Sequence, residues 1–174
     1  MARIRKGVSY RNLERPYTRV SKFKRKSFIR TTLNPKIVNF DMGNLKRKFK
    51  YKINMNSKAD LQIRDNALNS ARETANRMLE KEFSATGFHL KMNLYPFHIL
   101  RENPVATGAG ADRFSTGMKK SFGKPIGQAC RVTKGKTVMS LDVDKAGLEV
   151  GKKALKRAAS KLPCSFFLDV IETN

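Results

Sequence analysis

Two stretches of this 174-residue chain approach the spelling of a nucleotide-binding loop. Such a loop needs a glycine, four residues, then Gly-Lys and a Ser or Thr, so that backbone amides cradle phosphates while the hydroxyl holds magnesium. In GMKKSFGKP (Gly117 to Pro125) five residues separate the glycines, and Pro125 stands where the hydroxyl belongs. In KGKT (Lys134 to Thr137) the first glycine is replaced by Cys130, and the segment joins two strand-like stretches instead of opening a helix. Zinc fares no better. The four soft ligands are His89, His98, Cys130 and Cys164, and no two are closer than nine positions, whereas structural zinc sites use tight pairs. Cys130 reads as a buried thiol, His89 as a solvent- or RNA-facing side chain, and Asp112-Arg113 as a structural pair or turn cap with no general base near it. The expectation is no enzyme, no cofactor, no metal and no small-molecule substrate.

The chemistry that remains is charge neutralisation. Thirty-seven Lys and Arg stand against 14 Asp and Glu, a net charge of +23. Self-repulsion of that size opposes compaction unless a polyanion relieves it, and nucleic acid rewards each Lys or Arg through counterion release. A membrane is disfavoured: no apolar run approaches the ~18 residues of a span, the N-terminus lacks a secretory pattern, and its basic residues fall on every side of any helix drawn through it. Two cysteines suggest free thiols and a reducing compartment, so a cytoplasmic location is expected.

The charge is uneven. Residues 1–52 hold 17 Lys and Arg but only Glu14 and Asp41 as acids. Residues 1–45 read as a basic RNA-binding extension, without sustained periodicity over 1–36, with Arg3, Arg5, Lys6, Arg11, Arg15, Arg19, Lys22, Lys24, Arg25, Lys26 and Arg30 as candidate contacts. KFKRK (Lys22 to Lys26) mixes base and aromatic in a way that suits backbone contact with occasional base stacking. Such a segment is expected to order on binding RNA.

Residues 46–174 read as an α+β domain with 40% apolar residues overall, ordinary for a packed core. KRKFKYKINM alternates, placing Phe49, Tyr51, Ile53 and Met55 on one side of a strand. SKAD then predicts a capping box at Ser57 and Asp60 and a helix over 58–81, with Ile63, Ala67, Ala71, Ala75 and Met78 on its apolar stripe and Leu68 and Leu79 beside it. A strand follows with Phe88, Leu90, Met92 and Leu94 inward, ended or pushed to an edge by Pro96. Residues 126–132 and 137–143 read as a hairpin. Asp144 is placed to cap a second helix with Leu148, Gly151, Leu155, Ala158 and Leu162 inward and Lys145, Lys152, Lys153, Lys156, Arg157 and Lys161 outward; SFFLDVIE closes the chain as a strand. The expected architecture is two helices on one face of a mainly antiparallel sheet, with the basic N-terminal extension and a protruding loop over 101–125.

That loop, RENPVATGAGADRFSTGMKKSFGKP, holds four glycines and two prolines and cannot be core. Small residues around Gly108 and Gly110 leave its backbone thin and free to take positive φ. Arg101 and Arg113 are candidate phosphate clamps at its base, with Lys119, Lys120 and Lys124 continuing the positive track.

The stretch LRENPVATGAGADRFSTGMKKSFGKPIGQACRV (Leu100 to Val132) closely resembles the universal large-subunit ribosomal protein sixteen family in its archaeal and eukaryotic "ten-e" form. RPYTR (Arg15 to Arg19), PKIVNFDMGN (Pro35 to Asn44), YPFHILREN (Tyr95 to Asn103) and KLPCSF (Lys161 to Phe166) extend the resemblance over nearly the whole chain. The short C-terminus points to the archaeal branch. The resemblance implies an α+β sandwich lodged in large-subunit rRNA at the base of the central protuberance, among neighbouring ribosomal proteins. It also implies a loop over 101–117 that approaches A- and P-site tRNA near the peptidyl-transferase centre, through Arg101, Asn103, Thr107, Gly108, Ala109, Gly110, Ala111, Asp112 and Arg113. Family members of this kind help position tRNA and complete subunit assembly, while the RNA does the chemistry. The stretch VSKFKRKSFIRTTLN (Val20 to Asn34) departs from the family pattern by being more basic. The alternative from another class is a free RNA chaperone or regulatory RNA-binding protein, which would not stay on ribosomes at high salt.

Overall fold

The computed structural model describes residues 4–15, 17, 22–23, 25, 29, 33–34, 36–84 and 86–173, apart from the Lys120 side chain. Its elements run β1 (Asp41–Gly43), β2 (Tyr51–Ser57), β3 (Leu61–Arg64), α1 (Asp65–Phe83), β4 (His89–Met92), β5 (His98–Glu102), α2 (Ala111–Phe114), β6 (Lys124–Val132), β7 (Thr137–Val143), α3 (Leu148–Ala159) and β8 (Phe166–Glu172). The α+β class holds, and every strand pair is antiparallel. The strands form two sheets, of order β1-β4-β7-β2-β8 and β3-β6-β5.

Three local expectations give way. The helix begins at Asp65, not at residue 58, because residues 61–64 pair as β3 with β6, from Leu61↔Val132 to Arg64↔Ala129. Ile63, expected on the helix stripe, is therefore a fully buried strand residue. SKAD is not a capping box. Ser57 ends β2 and its hydroxyl donates to the Ala59 carbonyl at 2.8 Å, while Asp60 accepts the Lys134 amide at 2.7 Å across the β6–β7 turn. The Asp60 carboxylate and the Ser57 backbone, which bonds Lys136 and Gly135, tie that turn down, and the Ser57 hydroxyl is taken up by Ala59, so neither side-chain oxygen is left to cap a helix. Residues 126–132 and 137–143 are strands but not a hairpin: β6 lies in the smaller sheet and β7 in the larger, so Thr133–Lys136 carries the chain from one to the other.

The main apolar core fills the space between helices and strands, and a small second cluster gathers Tyr10, Leu100 and Ala129. Leu68, Ala71, Ala75 and Leu79 form the buried stripe of α1, and Gly151, Ala154, Leu155 and Ala158 that of α3. Leu68 and Leu79 thus lie at the centre of the α1 stripe, with Ala67 and Met78 at its margins. A Cβ at Gly151 would lie 2.9 Å from Leu141 and 3.0 Å from Ile53, so the missing side chain lets α3 sit close on β2 and β7. Phe88, Leu90, Met92 and Leu94 all point inward as the period-two pattern predicts, and Pro96 separates β4 from β5.

Candidate nucleic-acid interface

The amphipathic pattern of α3 buries its small and leucine residues, which forces its cations outward. Lys145, Lys152, Lys153, Lys156, Arg157 and Lys161 are all exposed, and none is ion-paired among the described residues. On the neighbouring helix, Arg77 and Lys81 of α1 line a cleft of about 510 Å³ together with Arg157, Lys161, Glu73 and Glu82. Two helices that contribute cations to one cleft make a surface suited to successive backbone phosphates.

Glu102 joins the N-terminal segment to the smaller sheet. It accepts the Tyr10 hydroxyl at 2.8 Å and pairs with Arg5 at 3.0 Å. Burial pushes the Tyr10 phenol above its ordinary value, so it remains a donor there. Arg64 donates to the Arg5 carbonyl at 2.8 Å. Gln62, buried on β3, receives the segment: its side-chain amide donates to the Tyr10 and Asn12 carbonyls at 3.1 and 2.7 Å, and its backbone amide to Arg11 at 2.9 Å. The candidate contacts Lys6, Arg11, Arg15, Lys22 and Arg25 stay exposed; Arg3, Arg19, Lys24, Lys26 and Arg30 lie outside the described residues.

The long loop closes the β5–β6 hairpin, whose last pairs are Arg101↔Pro125 and Glu102↔Lys124. Its base is firmly built. The Arg101 guanidinium lies 3.7 Å from the Phe122 ring centre and 4.4 Å from that of Tyr17, and donates to the Phe122 carbonyl at 3.0 Å. Arg101 therefore builds the loop base from which the sequence expects it to clamp phosphate. Gly123 turns the chain at φ +80°, and a Cβ there would lie 2.8 Å from the Glu102 backbone. Asn103 donates to the Gly117 carbonyl at 3.2 Å, so the loop has a neck.

Beyond the neck, Thr107, Gly108, Ala109, Gly110, Asp112, Arg113 and Phe114 are exposed, with Ala111 half-buried. Gly108 and Gly110 take φ +110° and +75°, as the glycine spacing suggests. Asp112 and Arg113 make no ion pair among the described residues. Lys119 and Lys124 are exposed on the return limb. Phe114, which nothing in the charge pattern singles out, is 86% exposed; its one local signal is an aromatic ring in a polar, glycine-rich loop.

The two histidines do structural work. His98 is buried, and its Nδ1 accepts the Tyr17 amide at 2.8 Å. Desolvation holds its pKa below the ordinary value, with Arg101 and Arg131 acting in the same direction and Glu14 against them. His89, expected to face solvent or RNA, is half-buried and reaches Asp142 at 3.0 Å and Asp41 at 3.1 Å, spanning three strands. The Cys130 thiol is buried and pushed up to about 12 by desolvation, so it is inert. Among the described residues no group of His, Cys, Asp and Glu is arranged to hold a metal ion, and no helix is long and apolar enough to cross a membrane.

A basic helix face and a narrow loop on a hairpin neck are general devices; the pattern of the whole chain is not. Residues 15–167 match the family model described as ribosomal protein L16p/L10e. The chain belongs to that family. It is 43% identical over 154 residues to the large ribosomal subunit protein uL16 of Archaeoglobus fulgidus, covering 88% of this chain and 85% of that protein. With the protein of the same name from Methanococcus maripaludis it shares 39% identity over 160 residues, 92% of this chain and 90% of the relative. These relatives place the chain in the archaeal form of L16p/L10e, a family of structural and not enzymatic proteins. The L16p/L10e match starts at Arg15, so Arg5 and Tyr10, which hold the N-terminal segment to Glu102, lie ahead of it.

Proposed function

We propose that this ribosomal protein is a structural constituent of the large subunit that grips rRNA by distributed phosphate contacts and extends its 103–123 loop toward tRNA. The observation that carries the reading is the exposed basic face of α3 and its flanks (Lys145, Lys152, Lys153, Lys156, Arg157 and Lys161), unpaired among the described residues. A protein of charge +23 that leaves such a face unneutralised has a polyanion for a partner. Phosphate contacts fix position but carry no base code, so RNA shape selects the site.

The N-terminal cations from Arg3 to Arg30, together with Lys119, Lys120 and Lys124, extend the rRNA-binding surface. Residues 1–45 act as the basic extension of the 46–174 domain, anchored to it at their end by β1 in the larger sheet. The loop is the tRNA-proximal element, near the A-site and the peptidyl-transferase centre. Its thin, positive-φ backbone fits a crowded RNA cleft, its neck at Arg101 and Asn103 sets its direction, and Phe114 offers a ring for base stacking. The protein works in the cytoplasm, bound to ribosomes beside other large-subunit proteins.

Crosslinking in living cells, with the attached RNA bases mapped, tests this. Crosslinks confined to one region of large-subunit rRNA, with loop crosslinks at tRNA ends, are expected. Crosslinks scattered over messenger and small RNAs would instead make the protein a free RNA chaperone.

A further inference from the structure

The last strand of the larger sheet has one partner and one open side. β8 pairs with β2 over its full length, from Tyr51↔Glu172 to Ser57↔Phe166, with no bulge, and no described residue pairs with its other edge. The Thr173 amide donates to Lys50 and the Ser165 carbonyl accepts from Lys58, so the odd-numbered positions of β8 bond to β2. The amides and carbonyls of Phe166, Leu168, Val170 and Glu172 therefore face the open side.

Edge strands are ordinarily blunted by brevity, lysine, proline or a bulge. β8 is seven residues of FFLDVIE with none of these. Other edges are handled differently: β1 has three residues, and the Tyr10–Asn12 segment lies along β3. The open edge of β8 is also chemically unlike the rest of the protein. Phe167, Val170 and Ile171 are 41%, 37% and 45% exposed, beside the exposed acids Asp169 and Glu172. In a chain of net charge +23 this strand has no cation at all. RNA would meet two carboxylates there. A second copy would set two acidic strands side by side, with no cation in either, and like charges across a strand pair destabilise it.

We propose that the open edge of β8 accepts an added β-strand from another ribosomal protein, an extended segment that alternates apolar residues with Lys or Arg. Backbone bonds to Leu168, Val170 and Glu172 would hold it, Phe167 and Ile171 on one face would pack its apolar residues, and Glu172 on the opposite face would select its charge. The proposal rests on the reading that the chain resides in the large subunit.

A photoreactive benzoylphenylalanine in place of Phe167 tests both separately. Recovery of the chain in purified large subunits checks the residence; the identity of the adduct checks the edge. The expected adduct is with one Lys/Arg-rich extended segment of one other ribosomal protein, and it is lost in Val170→Pro. That substitution removes an outward amide and no bond to β2, so circular dichroism is expected to be unchanged. An adduct with rRNA, a second copy or an acidic or helical segment overturns the proposal, as does no adduct from subunits that contain the chain. In a second measurement on the full chain, a synthetic peptide of four Lys-Val repeats slows amide exchange at Leu168 and Val170 by about tenfold or more while Asp169 and Ile171 are unaffected. No slowing, or equal slowing by a Glu-Val peptide, also overturns it.

Discussion

Arg101 sits over the Phe122 ring, its guanidinium carbon 3.7 Å from the ring centre, while its Nη1 donates to the carbonyl of that same residue at 3.0 Å. The two residues stand at opposite ends of the long loop, 21 positions apart in sequence, so their contact closes its neck. Tyr17 completes the cluster, edge-on to Phe122 at 5.1 Å. The direction of the loop is thus tied to the N-terminal segment.

Lysine at position 101 keeps the charge but loses the planar fork that stacks and donates at once. Arg101→Lys and Phe122→Ala should each cost about 1 kcal/mol in urea unfolding, and their double-mutant cycle should return a coupling of roughly 0.5–1 kcal/mol. Strictly additive costs would mean the stack contributes nothing.

Deleting Val105 to Ala111 should leave circular dichroism and subunit association nearly unchanged. Each of these residues is exposed or half-buried and none belongs to a core cluster. Translation should suffer instead. Unfolding of the deletion variant would show that the loop supports the fold.

The Tyr17–His98 bond should make the neck sensitive to acid. Burial lowers the folded-state pKa of His98 below 6.5, so in that window the unfolded chain binds a proton that the folded chain does not. Stability is then fully present above pH 6.5 and falls as pH drops toward the lowered folded value. His98→Gln should flatten this part of the stability–pH curve. An unchanged curve would assign the dependence to other groups.

On the α3 face, replacing Lys152, Lys153 or Lys156 singly by alanine should weaken rRNA binding modestly. Each should also reduce the slope of log affinity against log salt by about 0.7–0.9, one phosphate contact. Loss of all binding at every salt concentration from one substitution would point to a single specific contact.

Thiol labelling offers a simple check of the core. In the native protein only Cys164, half-buried, should react readily, while Cys130 should react on denaturation. Equal native reactivity would mean that β6 is not packed as described.

The sequence by itself determined what periodicity and charge can encode. The α3 stripe of Gly151, Leu155 and Ala158 buries itself and leaves its lysines outside, and Phe88 to Leu94 alternates inward. The polyanion partner followed from net charge, and the family from the long motif around Gly108. Tertiary structure decided the rest, because it depends on partners distant along the chain. Residues 61–64 look helical until β6 is available to pair with them, and Ser57 and Asp60 cap nothing once the Ala59 carbonyl and the Lys134 amide offer them bonds. Nothing local tells Arg101 to stack on Phe122 and Tyr17, since the cost of bringing those three together is met by the closure of the whole hairpin. For the same reason the open edge of β8 is invisible in FFLDVIE: a strand pattern states which side chains face in, and only the finished sheet decides which strand has, among the described residues, a partner on one side alone.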